Sequence, residues 1–248
     1  MMKALYRNEV EKLLCRKKYL VLWILDVLSC LALAAIQILT EIFSRGVFSS
    51  AGLFDEMLLN GLSIYLMAFI PLIALLGCAD LFSGEVHDQS LRMLIQRPIK
   101  RWKIFLAKVM AVFSLCVAYI LLHFAVLFFV KLGFGHTTAG TFYALGAYLL
   151  DLIPAFVLVT FFVLLHQIVN SSGSAVALSV VAYLLLLAVG RYVNFGNGLI
   201  FTEYLTWHSI WLGNLLPFTV LLPKVGILFG SGVVLYCAGF ELFDRKEL

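Results

Sequence analysis

Charged residues are scarce in this sequence, and their scarcity excludes an ordinary soluble domain. Only 13% of the 248 residues are Asp, Glu, Lys or Arg, whereas 63% are hydrophobic. A soluble domain is about a quarter charged and about half apolar. The mean hydropathy is +1.03, so we predict an integral membrane protein. A membrane-crossing helix needs roughly 20 apolar residues, and the chain is long enough for about six.

Cysteine is also scarce, and its placement predicts no covalent or metal framework. No two cysteines have the CxxC spacing, and most lie within apolar runs or beside basic residues. We therefore predict neither a disulfide framework nor a zinc or other metal site. The five cysteines are Cys15, Cys30, Cys78, Cys116 and Cys237.

The sequence motifs of several enzyme classes are absent. There is no G-x-x-x-x-G-K-[ST], so the chain cannot bind ATP through a P-loop, and there is no H-E-x-x-H or G-x-S-x-G. A channel filter sequence is missing as well. We predict a chain with no catalytic residues and no cofactor of its own. The net charge of +4 does not indicate a nucleic-acid partner, because the basic residues cluster beside span ends, where topology and anionic lipid account for them.

Six long apolar runs are present, and each is predicted to cross the membrane as a helix. They cover residues 19–40, 59–82, 105–130, 142–169, 175–190 and 221–243. Lys and Arg concentrate in the N-terminal segment, the 83–104 connection and the C-terminal tail, which places both termini in the cytoplasm. The first run is of span length and lacks a clear cleavage site, so it is predicted to be retained. The predicted fold is an all-α integral membrane protein with one transmembrane domain over residues 1–248.

Residues 1–18 are predicted to form an amphipathic helix at the cytoplasmic membrane surface. Apolar residues recur at steps of three and four, and basic residues fill the other side, a pattern typical of interfacial helices. The alternative is a merely basic tail. The apolar residues are Leu5, Tyr6, Val10, Leu13 and Leu14.

Residues 83–104 form the longest polar passage in the chain. Leu91, Met93, Leu94 and Ile95 give its middle an apolar side, and Pro98 ends any helix there. A short amphipathic helix between spans 2 and 3 suits a docking site for a soluble partner. The alternative is an ordinary basic loop that only fixes the topology.

Residues 191–217 are too polar to span the membrane and too aromatic for a free loop. Because aromatic rings prefer the membrane interface, we predict one or two short helices in the outer leaflet between spans 5 and 6. The alternative is a simple aromatic anchor loop. The segment includes Tyr204, Trp207 and Trp211.

Four ionisable residues fall inside predicted spans: Asp26, His123, Asp151 and His166. Such residues are energetically expensive in a membrane, which makes them candidates for a function. Asp151 is the foremost candidate, since Pro154 interrupts the hydrogen bonds of the helix beside it. The alternative for each is a buried group hydrogen-bonded to a neighbouring helix.

The polar segment carries a recognisable order of residues. Phe82 and Glu85 open it, and an apolar and basic run follows. The remaining residues of the pattern are Ser90, Leu91, Arg92, Leu94, Ile95, Arg97, Pro98, Ile99, Arg101 and Lys108. This order resembles the cytoplasmic signature of the type-2 exporter family of ABC transporter permeases. Gln89 and Lys100 depart from it, at positions where Gly and Ser are common. The six-span layout and the N-terminal helix with Asn8, Glu9 and Lys12 are similar to this family too.

The resemblance implies the permease subunit of an ATP-driven exporter in a bacterial cell membrane. Two permease chains, identical or related, would pair above two copies of a cytoplasmic ABC ATPase that binds ATP and Mg. The ATPase-coupling residues would be Glu85, Ser90, Leu91, Arg92, Leu94, Arg97, Pro98 and Arg101, with Glu85 as the anchor. Substrates in such families are often amphipathic, such as peptides, antibiotics or lipid-like molecules.

Candidate residues for the substrate pathway are Asp26, His123, Asp151, Trp207 and Trp211. Two other functions stay open: a membrane subunit that senses a peptide or gives immunity to it without transport, and an intramembrane enzyme.

Overall fold

The structure, a computed structural model, describes residues 2–43, 50–90, 99–133, 140–169, 171–192, 198, 200–212 and 217–246. In this part of the chain every regular element is helical. The α-helices are α1 (Met2–Leu14), α2 (Lys17–Phe43), α3 (Ser50–Cys78), α4 (Gly84–His87), α5 (Arg101–Gly133), α6 (Thr141–Leu150), α7 (Leu152–Ile168), α8 (Ser172–Tyr192), α9 (His208–Trp211) and α10 (Phe218–Asp244). A π-helical turn (Ala79–Ser83) joins α3 to α4, and a 3₁₀ turn (Phe201–Tyr204) precedes α9.

Six helical stretches are long and apolar enough to cross a membrane, which confirms the predicted all-helical, multi-pass protein. They cover Lys17–Thr40, Gly61–Val86, Arg101–Gly133, Thr141–Ile168, Ser172–Gly190 and Phe218–Asp244. Each stretch differs from its predicted span by a few residues at one end or both, and two helices extend well beyond the expected length. Helix α3 begins at Ser50, nine residues before the predicted start of the second span at residue 59. Helix α5 has 33 residues and is about 50 Å long, well beyond a hydrocarbon core of about 30 Å.

Helix α7 lies at the centre of the bundle. It packs against α3, α5, α8 and α10, and its side chains Leu158, Val159 and Phe162 are fully buried. A helix that is apolar on all sides is expected to be surrounded by other helices or by lipid. Helices α2, α8 and α10 instead keep many large apolar side chains exposed, as helices at the lipid boundary do.

Helix α1 packs on the protein rather than lying free on a surface. It contacts α5, and Leu13 is buried there with Leu5, Tyr6 and Val10 against the same core. Of the predicted apolar side only Leu14 is exposed. The structure thus confirms a helix within residues 1–18, but its apolar side faces the bundle, and its location at the cytoplasmic membrane surface stays a prediction.

The two ends of the bundle differ in character. At one end α1, α4, the start of α5 and the end of α10 meet, since Glu9 bonds Lys108 and Arg101 bonds the backbone of Asp244. We call this the charged end. At the other end, the aromatic end, residues 201–212 cover α6 and α7. Helix α1 and the end of α10 thus lie at the same end of the bundle, as an even number of crossings requires.

Candidate functional site: an ionic network at the charged end

Two carboxylates and two ammonium groups form a closed network at the charged end. The Nζ of Lys108 donates to Glu9 Oε2 at 3.0 Å and to Glu85 Oε2 at 2.6 Å. The Nζ of Lys12 donates to the other oxygen of each carboxylate, at 2.8 Å in both cases. The side chains of Glu9 and Lys108 are completely buried, and that of Glu85 is 9% exposed. The four charges sum to zero, so each charge has its counter-charge inside the protein.

Neutrality explains why Glu9, Glu85 and Lys108 can be buried, since the fourth charge is supplied by Lys12, whose side chain is 38% exposed. Removing one partner of a buried ion pair costs about 3–5 kcal/mol, because the remaining charge is left uncompensated. Burial opposes the charge on Lys12, but hydrogen bonds to Glu85 and Glu9 outweigh that effect and raise the pKa of Lys12 above its ordinary value. Lys12 therefore stays charged throughout the physiological range, and α1, α4 and α5 are held together by charge.

A second ionic contact braces the π-helical turn. Asp80 accepts hydrogen bonds from Arg16 and Lys18, both at 2.7 Å, and from the hydroxyl of Tyr19 at 2.6 Å. All three donors lie at the junction of α1 and α2. π-helical turns are rare and occur often at functional sites. Here the turn rotates the chain so that Asp80 and Glu85 both reach the N-terminal segment.

The structure describes three of the eight predicted coupling residues. Glu85 is in the network, and the hydroxyl of Ser90 donates to the Glu85 carbonyl oxygen at 3.4 Å. The guanidinium of Arg101 donates to the carbonyl oxygen of Asp244, which connects the start of α5 to the end of α10. The other five lie outside the described residues: Leu91, Arg92, Leu94, Arg97 and Pro98.

Gln89 is one of the two positions where the sequence departs from the pattern that it resembles. Its φ is +56°, which is the left-handed region where glycine is favoured. The backbone at position 89 therefore adopts the conformation that the more common glycine would adopt.

Asp26 and His123, two predicted pathway residues, are brought together inside the bundle. His123 Nδ1 lies 2.9 Å from Asp26 Oδ1 and 3.2 Å from the sulfur of Cys30. All three residues are at most 1% exposed. Tyr65 stacks on the His123 ring with 3.9 Å between centroids, which fixes the ring plane. Sequence reasoning did not associate Cys30 with this pair, because His123 is 93 residues away from it in the chain.

Asp151 ties the aromatic end to the bundle. It lies where α6 meets α7, and its carboxylate accepts the backbone N–H of His208 at 2.7 Å and faces His208 Nδ1 at 2.5 Å. Pro154 has no N–H for the carbonyl of the residue four before it, which accounts for the interruption of the helix. The predicted short helices between spans 5 and 6 are present as the 3₁₀ turn and α9.

The two candidate tryptophans have different surroundings. Trp207 is 1% exposed and packs edge-on against Tyr204, whereas Trp211 is 36% exposed. Trp207 is thus a packing residue of the aromatic end in this structure. His166 is buried as well, with Nδ1 2.9 Å from the carbonyl oxygen of Phe162 in its own helix. A role for Asp26, His123, Asp151, Trp207 and Trp211 in a substrate pathway stays a prediction.

Sequence reasoning singled out Glu85 but did not identify its partners. The sequence indicates only one part of the network: Glu9 interrupts the apolar side of α1 and lies one helical turn from Lys12. Lys108 follows Glu85 by 23 residues, beyond any local helical spacing. Only the packing of α1 on α5 brings the four charges together.

These features define a multi-pass helical membrane protein with a neutral buried ionic network at one end. Its sequence belongs to the family described as "Protein of unknown function (DUF2705)", whose model matches residues 49–215. A search of the curated proteins finds no match.

Proposed function

We propose that this chain is the transmembrane permease subunit of an ATP-driven ABC exporter. It would move an amphipathic substrate, such as a peptide, an antibiotic or a lipid-like molecule, across a bacterial cytoplasmic membrane. The observation that carries the proposal is the position of Glu85, held between Lys12 and Lys108 at the start of the segment that resembles the coupling helix of the family. Six membrane-length helices are consistent with it.

The network supplies the mechanical link that such a subunit needs. A permease without a P-loop must receive energy as movement, from a separate ATPase that binds ATP and Mg. Glu85 joins α4 to α1 and α5 through charge-assisted hydrogen bonds, which are about twice as strong as neutral ones. A force applied to the 83–104 segment by a docked ATPase would therefore move α1 and α5 together, and α5 crosses the whole bundle.

Coexpression with P-loop ATPases of the same organism tests the proposal. We expect one of them to copurify with this chain, and its ATP hydrolysis in vesicles to depend on the chain. Glu85→Gln should sharply reduce that hydrolysis and the substrate export coupled to it. Glu11→Gln is the matched control, since Glu11 lies on α1 with an exposed side chain that pairs with Arg7 on the same helix, and it should behave as wild type.

Two outcomes would contradict the proposal. One is that no P-loop ATPase copurifies with the chain. The other is that Glu85→Gln leaves ATP hydrolysis and export unchanged. Binding of an amphipathic peptide without ATP-dependent export would point instead to a sensing or immunity subunit.

A further inference from the structure

Three potential metal ligands meet where α2 packs on α5. Asp26 and Cys30 are four residues apart on α2 and so lie on one face of that helix, and His123 reaches them from α5. One ligand atom from each lies within 4.8 Å of the others. The cluster is separate from the ionic network at the charged end, and the inference below does not depend on the function proposed above.

The distances fit the face of a coordination tetrahedron. Zinc bonds of about 2.3 Å to sulfur and 2.0–2.2 Å to nitrogen and oxygen place tetrahedral ligand atoms about 3.4–3.6 Å apart. The observed separations are 2.9 Å between Asp26 Oδ1 and His123 Nδ1, 3.2 Å between His123 Nδ1 and Cys30 Sγ, and 3.9 Å between Cys30 Sγ and Asp26 Oδ1. Each separation differs from the ideal by about 0.5 Å or less, so small side-chain rotations would suffice.

An unpartnered carboxylate oxygen points to a ligand. Asp26 Oδ2 is buried and has no hydrogen-bond partner among the described residues, although Asp26 is 0% exposed. Buried polar atoms in proteins are almost always paired. A carboxylate that binds a cation through both oxygens would satisfy Oδ1 and Oδ2 together. In the described part of the chain, His123 Nε2 has no hydrogen-bond partner either.

Charge favours a divalent ion at this position. An ion placed deep in the bundle is strongly disfavoured unless its charge is neutralised locally. One Asp carboxylate, one Cys thiolate and one neutral imidazole carry two negative charges, which cancel a 2+ ion. Thiolate with imidazole and carboxylate is a ligand set that suits zinc and excludes magnesium and calcium, which prefer oxygen.

We propose that Asp26, Cys30 and His123 bind one zinc-class divalent transition-metal ion. The ion would link α2 to α5 within the bundle. Sequence spacing predicted no metal site, because the ligands come from two helices and one of them is 93 residues from the nearest other.

Cobalt substitution of the full chain in detergent tests this site. The background is the Cys15→Ser and Cys237→Ser variant, which lacks the two exposed thiols. After chelation and reloading we expect one equivalent of Zn²⁺ per chain, and with Co²⁺ an absorption band from thiolate-to-cobalt charge transfer. Adding Cys30→Ser should abolish the charge-transfer band. Adding His123→Gln should reduce the bound Zn²⁺ to the amount that binds non-specifically. Cys116 is a buried thiol on α5 outside the cluster, so Cys116→Ala should retain both the charge-transfer band and the bound Zn²⁺.

The proposal would be overturned if the Cys15→Ser, Cys237→Ser protein bound no more Zn²⁺ than the same protein with Cys30→Ser added. It would also be overturned if the charge-transfer band persisted after Cys30→Ser. Thermal unfolding gives a second test. It compares each variant with and without Zn²⁺, so the variants need not be equally stable. A bound ion stabilises the folded state by mass action, so Zn²⁺ should raise the unfolding temperature of the background protein. It should leave that of Cys30→Ser unchanged.

Discussion

Lys108 lies between two buried carboxylates and is itself completely buried. Without it, Glu9 and Glu85 would share only the charge of Lys12, and one negative charge would remain uncompensated inside the protein. We expect Lys108→Ala to lower the free energy of unfolding by about 3–5 kcal/mol. Denaturation by sodium dodecyl sulfate in mixed micelles measures this loss.

The control for this prediction is Arg7→Ala. Arg7 forms an ion pair with Glu11 on the same helix, and both side chains are largely exposed. Exposed pairs contribute little to stability because water and salt screen them, so no measurable change is expected. Losses of equal size in Lys108→Ala and Arg7→Ala would show that the buried network does not hold α1 in place.

At the scale of the element, the π-helical turn depends on a glycine. A Cβ built on Gly84 would lie 2.9 Å from the carbonyl oxygen of Ala79, a backbone atom of the turn itself. The turn would have to open to admit it. We expect Gly84→Ala to cost about 1–3 kcal/mol, measured by the same unfolding assay, and to weaken the contact of Asp80 with Tyr19.

Gly226→Ala is the matched control in α10. A Cβ at that position has no atom within 4 Å in the described part of the chain, and Ala is the better helix former. This variant should be as stable as wild type or more stable. If Gly84→Ala is equally well tolerated, the turn does not require a glycine.

The elements were predictable from the sequence to different degrees. Six spans follow directly from apolar length, because the backbone must satisfy its own hydrogen bonds in lipid. The bend at Asp151 follows from Pro154. The π-helical turn has no comparable signal, since its residues Ala79–Ser83 contain no proline or glycine and the partners of Asp80 lie more than 60 residues away in the chain. The start of α3 at Ser50 was missed because Asp55 and Glu56 make that stretch polar.

The site was predicted in part, and for a physical reason. Glu85 stood out because it opens a recognisable pattern. Its partners and the Asp26, Cys30 and His123 cluster arise from helices that are adjacent in space and far apart in sequence. The packing of the helices decides which helix faces are in contact. A single sequence does not show directly how the helices pack.

At the scale of the whole molecule, the two ends of the bundle should lie on opposite sides of the membrane. The charged end should face the cytoplasm, because Lys and Arg accumulate there. Cys15 lies at this end, between α1 and α2, and is exposed. In a Cys237→Ser background, we expect a membrane-impermeant maleimide to label Cys15 only after the cells are opened.

Ser209→Cys reports on the opposite end. Ser209 lies on α9 at the aromatic end and is exposed. In a chain without Cys15 and Cys237 it should be labelled in intact cells. The reverse pattern would place the aromatic end in the cytoplasm, and labelling of both positions in intact cells would contradict a fixed orientation.

The ionic network also bears on the order in which the protein matures. Glu9 leaves the ribosome 99 residues before Lys108, the buried cation with which it pairs. Until Lys108 is synthesised, Glu9 lacks its buried cation and the four-charge network cannot close, even after Glu85 has become available to Lys12. Docking of the amino terminus is therefore expected to be a late step of biogenesis, and a bulky tag fused ahead of Met1 should delay it.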